Sequence, residues 1–129
     1  KPASSKPVAL SYTNNKKIKS DAMKSPGYKQ HLGHLKTAVS AGHIPKSWAI
    51  ALTELVGRES SWNPSAKNPK STAHGYGQFL NSTRANYEKK LKMNYSNPVH
   101  QLAMMAQYVK DRYKTPEQAL AFWDKNNYY

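Results

Sequence analysis

Glu59 is the side chain whose type and spacing best suit it to move a proton. Only seven acids occur in the 129 residues: Asp21, Glu54, Glu59, Glu88, Asp111, Glu117 and Asp124. Glu59 follows Leu55 by four positions and Val56 by three, which puts it on the apolar side of an expected helix. That helix reads as ending just beyond it, before a segment rich in Asn and Pro. There the carboxylate meets the negative end of the helix dipole. Burial and dipole act in the same sense, toward a raised pKa and a proton held near neutral pH. A carboxyl protonated at working pH suits glycosidic cleavage, because the leaving oxygen must gain a proton as the bond breaks. Spacing alone equally allows a carboxylate that reaches water or pairs with Arg58 or a nearby Lys.

Other chemistry is poorly served. The chain has no cysteine, which excludes thiolate metal sites and leaves packing alone to hold the domain. Of the five histidines, His31, His34, His43, His74 and His100, the first two stand three apart. No carboxylate or third His joins them on one face, so ordinary histidines are expected, with no metal and no cofactor. The net charge of +13 calls for a polyanionic partner or surface. Nucleic acid, anionic lipid and an anionic cell wall all qualify, as does a merely solubilising surface. The lysines are dispersed and only three arginines occur, Arg58, Arg84 and Arg112, so base-reading is not expected. No apolar run approaches the roughly 18–20 residues of a bilayer span. No leader is visible, and the chain reads as a mature or excised domain.

The elements that must position Glu59 follow from periodicity. Residues 1–27 carry many lysines against one acid, Asp21, and read as a basic linker or packed N-terminal arm. Val8, Leu10 and Tyr12 alternate there, as a short extended segment would. The domain is expected over 28–129. Tyr28, Leu32, Leu35 and Val39 make an amphipathic stripe that Gly42 can end. Pro45 suits the first position of a second helix, with Trp48, Leu52, Leu55, Val56 and Glu59 along one face. The stretch from Asn63-Pro64 to Gly77 is loop or turn with room for a short hairpin. A helix over Phe79 to Leu91 would be capped by Asn81 or Ser82, another starts at Asn97-Pro98, and Thr115-Pro116 opens the last. The expected fold is α+β and mostly α-helical, with one irregular or short-hairpin lobe.

Three blocks in order carry a resemblance. Glu59-Ser60-Ser61-Trp62-Asn63-Pro64-Ser65-Ala66 is followed by Gly75-Tyr76-Gly77-Gln78-Phe79, and then by Asn97-Pro98 leading through Leu102 to Tyr108. Together, over about residues 46–124, they resemble the soluble lytic transglycosylases with a goose-lysozyme-like catalytic domain. The resemblance implies a lysozyme-like fold and cleavage of peptidoglycan between N-acetylmuramic acid and N-acetylglucosamine. Glu59 would be the single acid/base, and the product a 1,6-anhydromuramoyl end. Gln78 would line the cleft, unless it is simply a polar residue at a helix start. Ser60 would bond near the acid or cap locally, and Tyr108 would bring its hydroxyl near the carboxyl or fill the core. Tyr76 would be a stacking platform or a plain wall. The family's Ala-Tyr-Asn-Ala-Gly stretch is Ala121-Phe122-Trp123-Asp124-Lys125 here, so the cleft wall at Phe122 and Trp123 departs from the pattern. The C-terminal Asn126-Asn127-Tyr128-Tyr129 would close over it.

Paired-carboxylate mechanisms need a second acid, about 5–5.5 Å away in retaining enzymes and farther in inverting ones. Glu54 stands five residues back and points elsewhere, which leaves Asp124. A hydrolytic lysozyme and a non-catalytic wall-binding domain are the alternative readings. The aromatic-rich C-terminus resembles Gram-positive cell-wall hydrolases and phage tail proteins. The expected setting is extracellular or wall-facing, including within a virion, as a monomer when isolated. Its partners would be glycan strands and anionic wall polymers, with no nucleic acid and no membrane span.

Overall fold

The computed structural model describes residues 26–126. They form α1 (Pro26–Ser40), a single 3-10 turn (Lys46–Trp48), α2 (Ala49–Ser60), α3 (Asn81–Leu91), α4 (Pro98–Tyr113) and α5 (Pro116–Asn126). The expected arm, with Val8, Leu10 and Tyr12, and the closing residues 127–129 lie outside this range.

Most ends follow local chemistry. α1 stops where Gly42 turns to φ +84°, and the His43 N–H returns to the Ala38 carbonyl at 3.0 Å. Pro45 precedes the 3-10 turn, one position before its expected place, and α2 proper begins at Ala49. Asn97 Oδ1 accepts the Val99 N–H at 2.9 Å with Pro98 following, and Thr115 Oγ1 accepts the Gln118 N–H at 3.2 Å. The start of α3 differs from expectation. Leu80 occupies the cap position, and the Asn81 N–H donates to Thr72 Oγ1 in the preceding lobe at 3.0 Å. A cap supplied from nine residues away leaves no trace in local sequence.

α2 is the central element. Leu52, Leu55 and Val56 are fully buried, and Thr53, Glu54, Gly57 and Arg58 are buried as well. The helix packs on α5, while α4 bridges α1, α3 and α5. Leu35, Ala38, Leu102, Met105, Val109, Ala119 and Leu120 complete this core. A smaller cluster of Phe79, Tyr87, Tyr95 and Met104 holds α3 against α4.

The end of α2 is forced by its own continuation. Ser61 and Trp62 both take left-handed backbone (φ +52° and +61°), an arrangement that costs about 1–2 kcal/mol per non-glycine residue. The turn throws Trp62 back onto the helix, where it is fully buried and donates Nε1–H to the Thr53 carbonyl at 2.9 Å. Removing roughly 200 Å² of tryptophan from water at ~25 cal/mol per Å² is worth about 5 kcal/mol, which exceeds the strain. Gly57 makes room for it.

Residues 61–80 form the lobe. Of the two forms expected, irregular or short-hairpin, the lobe takes the irregular one: among the described residues there is no strand, only isolated bridges from His74 to Lys67 and to Phe79. The α+β expectation therefore resolves to a mostly helical domain with an irregular lobe. Backbone groups are satisfied by turns instead. Asn63 Oδ1 and Asn68 Oδ1 accept the N–H groups of Ser65 and Lys70, both at 2.8 Å, and the Gly75 N–H reaches the Ala66 carbonyl at 2.8 Å. Pro64 and Pro69 offer no N–H to a ladder. Buried Gln101 of α4 ties the lobe down, accepting the Tyr76 N–H at 2.8 Å and donating to the Pro64 carbonyl at 3.2 Å.

A Cβ at Gly57 would lie 2.5 Å from Trp62 Cζ2. Helix propensity favours alanine by about 1 kcal/mol, but overlap this severe with a buried ring puts overpacking at the upper end of its range, ~2–3 kcal/mol. Gly57→Ala is therefore expected to lose about 1–2 kcal/mol in urea unfolding; an unchanged midpoint would contradict the packing described.

Candidate active site

Glu59 occupies the last turn of α2, half-buried, and Trp123 of α5 donates its indole N–H to Glu59 Oε2 at 2.7 Å. Burial pushes the Glu59 carboxyl up to about 7, against the smaller opposing effect of the Trp123 hydrogen bond. The apolar face and the α2 terminus anticipated in the sequence thus place a carboxyl that holds its proton near neutrality.

Arg58 does not neutralise it. The Arg58 side chain is buried, with Nε on Glu54 Oε2 at 3.1 Å and Nη1 on Asp124 Oδ1 at 2.5 Å. The same Nη1 reaches the Leu120 carbonyl at 3.5 Å, and the guanidinium carbon lies 5.2 Å from the centre of the Trp123 ring. Asp124, the second carboxylate left open by the sequence, is the outer partner of this cation. Glu88 binds Arg84 at 2.6 Å and accepts the Tyr95 N–H at 2.8 Å. Asp111 accepts from the Tyr87 hydroxyl, Lys90 and Gln107, and Glu117 is exposed in the first turn of α5. Among the described residues, Glu59 forms no salt bridge.

The remaining expected site residues divide. Tyr108 is half-buried and packs on Phe79 with ring centres 5.2 Å apart. Burial raises its pKa first, and the Glu59 charge raises it further, which places Tyr108 within the electrostatic reach of the acid. Tyr95 senses Glu59 in the same way, and sequence reasoning missed it. Its hydroxyl donates to the His74 carbonyl at 2.7 Å, an assignment that no local pattern predicts. Ser60 takes the local alternative, donating to the Val56 carbonyl of its own helix at 3.1 Å. Gln78 lies in the lobe before α3, at φ +52°, with Nε2 donating to the carbonyls of Gly75 and Ala66 at 3.0 and 3.2 Å. Tyr76 is fully buried, its hydroxyl 2.8 Å from His34 Nδ1, so it offers no ring face to a sugar. The stacking-platform expectation is thereby corrected. Phe122 is half-buried against Tyr113, ring centres 5.3 Å apart. Trp123, expected on the cleft wall, contacts the acid itself.

A polar cavity of about 380 Å³ lies between the lobe and α3, lined in part by His74, Arg84, Glu88 and Tyr95. Among the described residues no group of three or more His, Asp or Glu side chains gathers to hold a metal.

The raised Glu59 pKa has a definite sign for stability. Unfolded Glu59 ionises near its ordinary value of 4.5, whereas the folded chain holds the proton to about 7. Stability therefore falls as pH rises from 4.5 to 7, and the cost persists above. Glu59→Gln removes that cost and can still accept from Trp123. With a discount for partial exposure, the variant is expected to gain roughly 1–2 kcal/mol over the parent at pH 8 and nothing at pH 4. Chemical unfolding at the two pH values measures this, and an equal difference at both would exclude a buried, proton-holding carboxyl.

The family model of the transglycosylase SLT domain matches residues 36–124, well over half the chain. Comparison with curated proteins gives no match, and neither does comparison with solved structures. The matched span runs from α1 to α5 and contains Glu59, Trp123, Tyr108 and the whole lobe. The chain belongs to the transglycosylase SLT domain family, the lytic transglycosylases that cleave peptidoglycan.

Proposed function

We propose that this domain cleaves the β-1,4 bond between N-acetylmuramic acid and N-acetylglucosamine without consuming water, using Glu59 as its one acid/base. The observation that carries the reading is a half-buried carboxyl held near pH 7, while Glu54 and Asp124 on the same two helices are both engaged by Arg58. Glu59 donates its proton to the glycosidic oxygen as the bond from muramic C1 breaks. The sugar's own N-acetyl oxygen closes on C1 and disperses the charge that develops there. The Glu59 carboxylate then takes the proton of the 6-hydroxyl, O6 displaces the acetyl oxygen at C1, and a 1,6-anhydro end forms. The proton count closes, and Glu59 returns to its starting state. Such a cycle asks for a carboxyl poised between donor and acceptor near working pH.

Asp124 is a poor candidate for nucleophile or second base, because it is engaged by Arg58. Tyr108 stands within electrostatic reach of the carboxyl and is assigned to the substrate-side wall. Gln78 is assigned to the lobe side of the cleft, and Phe122 to the α5 side. The net charge of +13 would hold the enzyme on an anionic wall, outside the cell or in the periplasm.

Mass spectrometry of digested, purified cell walls tests the reaction type. Anhydromuramoyl ends are expected, and Glu59→Gln should lower their rate of appearance by ~10²–10⁴-fold. Water-added ends would indicate a hydrolytic lysozyme, and wall binding without products a non-catalytic domain. The acid must be protonated at the start of the cycle, so kcat/KM should be level below pH 7 and fall about tenfold per unit above it. Activity that rises through pH 7 to 9 would rule out Glu59 as the initiating acid.

A further inference from the structure

We propose that Trp123 is a positioning residue for glycan cleavage, its indole N–H holding Glu59 Oε2 so that Oε1 is the oxygen that delivers the proton. The inference rests on the assignment of Glu59 as the acid.

The contact is short, 2.7 Å from Nε1 to Oε2, and Trp123 is buried at 6% exposure. An indole nitrogen can only donate. A donor selects the carbonyl-type oxygen of a protonated carboxyl over its hydroxyl oxygen, so Oε2 is the carbonyl oxygen and the proton resides on Oε1. No hydrogen bond to Oε1 forms among the described residues, and Glu59 is half-buried rather than sealed, which leaves that oxygen for a substrate. Without the contact the carboxyl could rotate and present either oxygen. With it, one oxygen is held and the other is aimed.

The indole is itself held. The Arg58 guanidinium lies 5.2 Å from the centre of its ring and is clamped from both sides, by Glu54 on its own helix and by Asp124 on α5. Cation–π attraction and the two ion pairs act on the same α2–α5 seam. The charged and titratable groups around Glu59 are thus Glu54 and Arg58 on α2, Asp124 on α5, and Tyr108 on α4 with Arg112 over its ring. Tyr95, between α3 and α4, joins them among the described residues. Both tyrosines are shifted above their ordinary values, so both stay neutral while Glu59 titrates.

Trp123→Phe keeps an aromatic ring under Arg58 and removes the donor. Two readouts separate the claims: carboxyl ¹³C NMR of labelled glutamate, which needs no turnover, and the alkaline limb of kcat/KM. The Glu59 midpoint is expected to rise by about one unit, because a hydrogen bond that favours the ionised form is lost, and the limb should rise with it. An unmoved Glu59 midpoint would overturn the positioning role. A moved midpoint with an unmoved limb would instead overturn Glu59 as the acid. Should Trp123→Phe fail to fold, the parent protein decides: its Trp123 indole ¹⁵N–¹H resonance should titrate with the Glu59 midpoint and lose that transition in Glu59→Gln. An indole resonance indifferent to pH refutes the proposal.

Discussion

A single buried cation joins the two helices that make the site. Arg58 leaves α2 and is received by Asp124 and the Leu120 carbonyl of α5, while Glu54 holds it from its own helix. Burying a guanidinium is expensive unless its donors are paired, and here two carboxylates and a carbonyl serve them. Moving Asp124 out of reach would leave the buried guanidinium with less compensation, which favours the register of α2 on α5 that keeps the two together. That register brings the Trp123 indole to the Glu59 carboxyl. Among the described residues Glu59 forms no ion pair, and its sequence neighbour Arg58 is committed elsewhere.

Burial and charge are divided between adjacent residues. Arg58 and Glu59 both lie in the last turn of α2, yet one is held by two carboxylates and the other is desolvated against the neutral Trp123 donor. Desolvation raises the Glu59 pKa, and the indole N–H restrains the rise, leaving it close to 7. A full ion pair would have made a permanent carboxylate. A wholly apolar pocket would have made a proton too tightly held to give away.

The lobe shows the same economy of partners. With only isolated bridges at His74 among the described residues, its backbone is otherwise satisfied by asparagine turns, by Gly75 and by Gln101 reaching across from α4. Gly75 is required twice: its φ is +81°, and a Cβ there would lie 2.6 Å from the Tyr95 hydroxyl. Tyr95 thereby links the lobe, through the His74 carbonyl, to the aromatic cluster of Phe79 and Tyr108 beside the acid.

The sequence by itself determined the helices and the place of Glu59 on one of them. Apolar periodicity placed α1, α2 and α4, and the Asn97-Pro98 and Thr115-Pro116 caps were legible because a cap bonds within three residues of itself. Glu59 was legible because face and terminus are both local properties of one helix. Contacts between distant segments were not: Thr72 starting α3, Gln101 fastening the lobe, Tyr76 sealed against His34, and Arg58 drawn to Asp124. The family's asparagine position, occupied here by Trp123, read as a doubtful patch of cleft wall. Tertiary structure made it the donor that grips Glu59, because only the packing of α5 on α2 decides where a side chain 64 positions away will point.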